Sequence, residues 1–172
     1  MNPVMIQVVD EDGQMVGELE KIAAHENGGT WHRAISVFLF DTDGRLLVQQ
    51  RSEAKYHFAG LWANSCCSHP ITDETIEQAA HRAMLHELGV YSNVKELAVV
   101  RYEATDAVTG HTEREHDHIL IGVLTEKPNF NPSEVQAIRW VSLNDLRIEI
   151  EQQPESFAPW LPIILEQVSF SS

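Results

Sequence analysis

Cysteine is scarce in this chain of 172 residues, which has only Cys66 and Cys67, adjacent to each other. Two neighbouring thiols do not form the disulfide framework that stabilises many small secreted domains. We therefore interpret both thiols as reduced and expect a cytoplasmic protein. Residues 1–5 contain neither a basic segment nor an apolar run, so we also expect no targeting segment at this end.

Basic residues are scarce as well: 12 Lys and Arg stand against 26 Asp and Glu, for a net charge of −14. Such an acidic chain, with no basic tract, argues against nucleic acid and anionic membranes as partners. An anionic substrate must then be held by a few placed cations. Long apolar runs are also missing, because Ile35–Phe40 and Ile119–Leu124 are far too short to span a bilayer.

The chain does contain a series of strand patterns with helices between and after them. Turn residues at Glu11-Asp12-Gly13 and at Asp41-Thr42-Asp43-Gly44 predict two hairpins. Later strands are predicted at 97–104, 117–124 and 135–141, and helices at 72–88, from 142 and at 157–168. There is no repeat or linker. We expect one α+β domain over residues 1–172, an α/β/α sandwich around a mixed β-sheet with an extra N-terminal hairpin.

The helix predicted at 72–88 carries a charge on its apolar face. Thr72 or Asp73 would cap its start, and Gly89 would end it. At about 100° per residue, Glu87 falls near the middle of the apolar stripe. Three interpretations stand: Glu87 frays into solvent at the helix end, it caps a neighbour, or it is a metal ligand, since a buried carboxylate must be compensated. Arg82 lies on another face, suited to a salt bridge or an anion.

The segment Asn64-Ser65-Cys66-Cys67-Ser68-His69-Pro70 is interpreted as a loop that enters this helix. It sets a thiol, Cys67, two residues from a candidate metal ligand, His69. Loops that carry chemistry are presented by a rigid scaffold. Taken alone, the segment would suit a protease, a zinc site or neither, so its meaning depends on the residues that face it.

A strand with alternating charges provides candidate partners. Alternation places Glu113, Glu115 and Asp117 on one face. Carboxylates two residues apart on a strand suit a divalent metal or an acid–base pair, although a charged strand end is commonly just solvated.

Nine histidines accompany these carboxylates. His25 and His32 flank a Gly-Gly spacer that lets both rings reach one ion. With His69 and the two glutamates they form a set of three nitrogens and two oxygens that suits Zn²⁺ or Mn²⁺. Four other histidines are interpreted as surface or packing residues: His57, His81, His86 and His111.

Taken together, these residues closely resemble type I isopentenyl-diphosphate isomerases. The shared features are, in chain order, Leu19-Glu20-Lys21, His25, His32, Arg51, Lys55, Leu61 to Pro70, His86-Glu87-Leu88-Gly89, Arg101-Tyr102, Glu113-x-Glu115 and Ala158-Pro159-Trp160. That family has the Nudix fold, and a degenerate Nudix box runs from Ser68 to Val90. Glu74, Arg82, Glu87 and Gly89 match the box, whereas Ser68, Ala83 and His86 replace its residues.

The resemblance implies a Nudix-type sandwich that converts isopentenyl diphosphate into dimethylallyl diphosphate, a step of isoprenoid biosynthesis. The reaction is a 1,3-proton shift through a tertiary carbocation. It implies that Cys67 and Glu115, the latter assisted by Tyr102, exchange the protons, and that the π face of Trp160 stabilises the cation. It also implies a first metal site, for Mn²⁺ or Zn²⁺, formed by His25, His32, His69, Glu113 and Glu115.

A second ion and a diphosphate site are implied in the same way. Glu87, with a backbone carbonyl near Cys67, resembles the site of a Mg²⁺ that arrives with the diphosphate. The expected diphosphate ligands are Lys21, Arg51 and Lys55, with Arg82 as a further candidate because Ala83 replaces an arginine of the family. Two other functions stay open: a Nudix-type hydrolase of a diphosphate, and a non-catalytic protein that binds isoprenyl diphosphates. We expect a monomer or a weak homodimer.

Overall fold

The structure is a computed structural model that describes residues 2–170, so Met1 and both limits of the expected domain, 1 and 172, lie outside the described residues. Its strands are β1 Met5–Val9, β2 Met15–Glu20, β3 His32–Phe40, β4 Leu46–Arg51, β5 Trp62–Ala63, β6 Cys66–Ser68, β7 Val94–Thr105, β8 Thr112–Val123 and β9 Val135–Val141. The α-helices are α1 Ile76–Ala83, α2 Leu143–Gln152 and α3 Trp160–Gln167. Within residues 2–170, every helix is too short or too polar to cross a membrane.

Strand β3 organises a mixed sheet. One edge of β3 pairs in parallel with β8 along its whole length. The other edge pairs antiparallel with β1, β6 and β4 in turn. Strand β7 extends the sheet beyond β8, and β9 and β5 pair with β4. The predicted mixed sheet and both predicted hairpins, β1–β2 and β3–β4, are confirmed.

Side chains on the two faces of β3 enter separate cores. Ile35, Val37 and Leu39 pack with the buried alanines of α1, whereas Phe38 packs with the apolar side of α3. All four are fully buried. Burial of one such side chain contributes about 1.5–3 kcal/mol relative to exposure. Helices therefore cover both faces of the sheet, which confirms the predicted α/β/α sandwich.

Helix α1 begins later than predicted. Thr75 is its N-cap and exchanges hydrogen bonds with Gln78: Gln78 N donates to Thr75 Oγ1 at 3.1 Å, and Thr75 N donates to Gln78 Oε1 at 2.9 Å. The expected caps, Thr72 and Asp73, are wrong because Asp73 has a left-handed φ of 64° in the preceding turn. The predicted end is confirmed: the helix continues as a π-helical turn at Met84–Leu88 and ends at Gly89.

The cysteine segment is only partly a loop, contrary to the prediction. Cys66–Ser68 form β6, in which Cys67 lies opposite Ser36 of β3. Asn64 and Ser65 precede β6, and their side chains donate to the carbonyls of Val37 at 3.0 Å and of Leu47 at 2.7 Å. Small polar residues give no alternation of apolar side chains, so this short strand is not visible in the sequence. Cys67 is therefore held on the sheet itself.

We predict that Gly89→Ala destabilises the protein more than Gly44→Ala. Both glycines have a left-handed φ, 64° and 79°. A Cβ at Gly89 would lie 2.7 Å from the carbonyl oxygen of Asn129, whereas one at Gly44 would meet no atom within 4 Å. We expect a loss of about 1 kcal/mol at Gly44 and about 2–3 kcal/mol at Gly89, measured by urea denaturation. Equal losses would contradict the role of the close approach.

Candidate active site

Five buried side chains converge at one end of β3 and β8. Each offers one nitrogen or oxygen atom, and these atoms lie within 4.8 Å of one another. The set is the one expected from the sequence: His25, His32, His69, Glu113 and Glu115. Glu113 is 3% exposed and Glu115 is 6% exposed. The alternative of a solvated strand end is therefore wrong.

Backbone carbonyls orient two of the imidazoles. His25 Nδ1 lies 2.7 Å from the carbonyl oxygen of Lys21, and His32 Nδ1 lies 2.7 Å from that of Thr30. A carbonyl only accepts, so each Nδ1 carries a proton, and each Nε2 faces the cluster, where a neutral ring would offer an ion its lone pair. His69 Nε2 approaches Glu115 Oε1 at 3.1 Å. Metal-binding histidines are commonly held by such an outer hydrogen bond.

The residues present fit a divalent ion. His32 Nε2 is buried and has no hydrogen-bond partner among the described residues, yet it lies 3.7 Å from Glu113 Oε2 and 3.6 Å from Glu115 Oε1. Burial alone would lower the pKa of His32, but the two carboxylates raise that pKa to about 10. The cluster thus favours positive charge at its centre. Imidazole nitrogens and carboxylate oxygens are suitable ligands for such an ion.

The four expected catalytic residues line a single cavity of about 200 Å³ next to this cluster: Cys67, Tyr102, Glu115 and Trp160. The Tyr102 hydroxyl donates to Glu115 Oε2 at 2.7 Å. The buried side chain of Asn64 connects Cys67 with Trp160, because its Oδ1 accepts from Cys67 Sγ at 3.3 Å and from Trp160 Nε1 at 3.1 Å. Asn64 therefore orients the thiol and the indole together.

The half-buried Cys67 thiol has acidic neighbours. The Ser36 hydroxyl lies 3.6 Å from Cys67 Sγ and donates to Asp117 Oδ2 at 2.6 Å. Burial, together with the negative charge of Asp117, raises the pKa of the Cys67 thiol. A thiol that keeps its proton is a poor covalent nucleophile, because the thiolate is the reactive form. The site therefore suits proton transfer better than nucleophilic attack.

Two lysines contribute ammonium groups to the lining of the cavity. Lys21 and Lys55 both line it, and burial together with the nearby Lys55 ammonium lowers the pKa of Lys21. Lys21 Nζ lies 5.6 Å from the centre of the Tyr56 ring. Lys55 forms a short ion pair with Glu134. Two ammonium groups in one cavity suit an anion that carries several charges.

The two expected arginines also line the cavity, but they bond mainly to the protein. Arg51 donates to the carbonyl oxygens of His57 and Phe58, each at 3.1 Å. Arg82 makes two 2.8 Å hydrogen bonds to Glu74 and one of 2.9 Å to the carbonyl of His69. The salt-bridge interpretation of Arg82 thus describes its contacts here, and its binding of substrate stays a prediction.

Glu87 is buried, so the interpretation that it frays into solvent is wrong. It accepts a hydrogen bond of 2.9 Å from Gln49, which also donates to the carbonyl of Ser65 at 2.7 Å. Burial raises the pKa of Glu87. Glu87 lines the cavity but is not one of the five clustered residues, and its role as a ligand stays a prediction. Ala83 lies in the apolar core instead and is 2% exposed.

Sequence reasoning missed several residues around this site. His57 was interpreted as a surface or packing residue, but it is buried and its Nε2 bonds to Glu113 Oε1. His86 lines the cavity and bonds to Glu134 at 3.2 Å. Tyr56 also lines the cavity. The sequence has no periodic pattern around residues 52–60 that would have indicated a role for His57 or Tyr56.

Comparison with known proteins identifies the family of this chain. Residues 30–161 match the NUDIX domain. An isopentenyl-diphosphate Delta-isomerase from Nocardia farcinica is 45% identical over 161 residues, which cover 94% of this chain and 92% of that protein. One from Halorhodospira halophila is 39% identical and covers 94% and 93%. The chain belongs to the isopentenyl-diphosphate Delta-isomerase family, within the NUDIX domain proteins.

Solved structures support the same fold. A crystal structure of a Deinococcus radiodurans protein superposes with a TM-score of 0.79 at 20% identity and covers 95% of this chain and 98% of that one. The MutT protein of Methanosarcina mazei gives 0.66 at 17% identity and covers 80% and 91%. The expected Nudix-type sandwich is confirmed. In this isopentenyl-diphosphate Delta-isomerase family member, the His/Glu cluster can hold a metal ion.

We predict that removing divalent ions lowers the melting temperature of the protein. An ion that binds only the folded state adds about 2.7 kcal/mol when its concentration is one hundred times its Kd. Calorimetry of chelator-treated protein, with and without added Mn²⁺ or Zn²⁺, measures the shift. Glu113→Gln should reduce it. His118→Gln should keep it, because His118 pairs with Glu96 outside the cluster. Equal melting temperatures with and without ions would refute the metal site.

Proposed function

We propose that this protein converts isopentenyl diphosphate into dimethylallyl diphosphate, the activity that the names of its relatives describe. One observation carries the proposal: the Cys67 thiol, the Tyr102–Glu115 pair and the Trp160 indole line the same cavity as Lys21 and other cations. An unactivated alkene requires an acid and a base on different sides of a small pocket. A diphosphate requires cations in the same pocket.

The sheet keeps the acid and the base apart. Cys67 lies on β6 and Glu115 on β8, and β3 runs between these two strands. Neighbouring strands are about 4.8 Å apart, so β6 and β8 are roughly 10 Å apart across the sheet. Cys67 lies opposite Ser36 and Glu115 opposite His32, so the two residues are also offset by four residues along β3, roughly 13 Å. This arrangement supports protonation from one side and deprotonation from the other.

In the proposed reaction, the Cys67 S–H bond breaks and its proton forms a C–H bond with the terminal alkene carbon. The π electrons form that bond and leave a tertiary cation, which faces the Trp160 ring. The adjacent methylene then loses a proton to Glu115 Oε2, and the electrons of that C–H bond form the new double bond. Tyr102 keeps Glu115 Oε2 oriented. Return of the proton from Glu115 to Cys67 restores both groups.

The ions and the diphosphate are assigned to neighbouring side chains. When bound at the His/Glu cluster, a divalent ion, which we propose to be Mn²⁺ or Zn²⁺, supplies positive charge that favours the Glu115 carboxylate. Mg²⁺ is assigned to Glu87 and the diphosphate. Lys21, Lys55 and Arg51 are the proposed diphosphate ligands, for which Lys55 must exchange its bond to Glu134.

Location and assembly are also part of the proposal. Two free cysteines, one of them buried and one half-buried, are compatible with a reducing cytoplasm. We propose a cytoplasmic enzyme that acts on a small isoprenyl diphosphate, as a single domain and as a monomer or weak homodimer. Light scattering of the purified chain measures that assembly state.

We predict that Cys67→Ala abolishes isomerisation while Cys66→Ala retains it. Cys67 lines the cavity and Cys66 is fully buried in the core beside α1. Cys66→Ala should lose only about 1 kcal/mol of folding stability. The assay follows dimethylallyl diphosphate and deuterium incorporation from D₂O in the presence of Mg²⁺. Retained activity in Cys67→Ala would overturn the mechanism. Release of phosphate from isoprenyl or nucleoside diphosphates, with little dependence on Cys67, would indicate a hydrolase instead.

Tyr102→Phe should lower kcat by roughly 10- to 100-fold, because it removes a hydrogen bond to a charged group, which is worth about 1.5–3 kcal/mol. Tyr91→Phe is the matched control, since the Tyr91 hydroxyl is exposed and bonds to Asn93 at 3.2 Å. Glu115→Gln should abolish deuterium incorporation altogether. A normal kcat in Tyr102→Phe would exclude the proposed role of the hydroxyl.

A further inference from the structure

The two oxygens of the Glu113 carboxylate face different neighbours. Oε2 faces the centre of the cluster: it lies 2.9 Å from His25 Nε2, 3.7 Å from His32 Nε2 and 4.0 Å from His69 Nε2. Oε1 is bonded instead by Nε2 of His57. One oxygen is thus available to an ion, and the other is held by a histidine outside the cluster.

The protonation of His57 follows from its neighbours. His57 Nδ1 is buried and has no hydrogen-bond partner among residues 2–170. If His57 bound the ion through an Nε2 lone pair, Nδ1 would carry a buried proton without an acceptor, which costs about 1–3 kcal/mol. A carboxylate only accepts, so the bond between His57 Nε2 and Glu113 Oε1 needs the proton on Nε2, and the imidazole then donates to the carboxylate. The contacts therefore favour a donor to Glu113 over a direct ligand.

The ring of His57 is also held in place. It is 4% exposed. The Tyr56 ring stacks on it with a centroid distance of 4.1 Å and an angle of 12°. Arg51 donates to its carbonyl oxygen at 3.1 Å, and the amide of the next residue, Phe58, donates to Asp106 at 2.9 Å. A donor fixed in this way holds the carboxylate in one orientation.

We propose that His57 is a positioning residue of the metal site, which fixes Glu113 so that Oε2 faces the ion. The inference rests on the metal site of the proposed function. Partners of this kind orient the ligand and commonly change metal affinity by about 10- to 100-fold. His57 lines the cavity, but in this assignment it acts through Glu113 and is not a ligand of the ion.

Titration of the full-length, chelator-stripped protein with Zn²⁺ alone tests this proposal. His57→Phe keeps a ring that can stack on Tyr56 but has no N–H group, so we expect the Kd for Zn²⁺ to rise roughly 10- to 100-fold at unchanged stoichiometry. His57→Gln restores a donor and should bring the Kd back to within about threefold of the unsubstituted protein. His111→Gln is the matched control, because the His111 ring packs on the Tyr56 and His57 rings, with centroid distances of 5.5 and 6.4 Å, and its side chain is not bonded to Glu113.

Cobalt absorption distinguishes a positioning residue from a direct ligand. With Co²⁺ in place of Zn²⁺, His57→Phe should keep the spectrum of the unsubstituted protein, because the ligands are the same; a changed spectrum would make His57 a direct ligand and overturn the proposal. An unchanged Kd in His57→Phe, or an equal rise in His111→Gln, would also overturn it. If the unsubstituted protein does not bind Zn²⁺, the metal site of the proposed function is refuted, and the role of His57 is refuted with it.

Discussion

Two buried carboxylates on one strand set the requirements that the rest of the site meets. Glu113 and Glu115 are held side by side on β8, almost without exposure. Negative charges so close together in a buried place must be compensated by cations, protons or hydrogen-bond donors. Three imidazoles converge on them, Tyr102 donates to Glu115 Oε2, and His57 bonds to Glu113 Oε1. With these two oxygens occupied, the other oxygen of each carboxylate faces the histidines of the cluster.

The central strand of the sheet, β3, determines where the His/Glu cluster lies relative to the Cys67 thiol. Because β3 pairs with β8 on one edge and with β6 on the other, the glutamates and Cys67 project from different strands into one cavity. Asn64 links the thiol to Trp160 through one oxygen atom. A Nudix sandwich whose box has lost part of its acidic residues thus holds, beside its sheet, the cavity that we propose for proton transfer. Arg82 of the box donates to Glu74 of the box and to the backbone carbonyl of His69.

Much of the fold was predictable because it depends on local rules. Turn residues predicted both hairpins, and Gly89 predicted the end of the helix because only glycine adopts its left-handed backbone without strain. The start of that helix was predicted wrongly. Thr75 and Gln78 form a capping box, but Thr72 and Asp73 are equally good capping residue types, and only the path of the turn excludes them. Strand β6 was missed because its pairing with β3 is not local.

The sequence by itself determined the residue types of the site and their spacing, and these were enough to group His25, His32 and His69 with the two glutamates. A metal site of this kind can be predicted from the sequence, because few residue types bind metal ions and their spacing is specific. Tertiary structure alone decided which charges are buried, which partner each has, and that His57 joins the site. Burial and hydrogen bonding of a side chain depend on elements far apart in the chain, so neither the position of His57 against Glu113 nor the bond of Arg82 to the His69 carbonyl has a local signal.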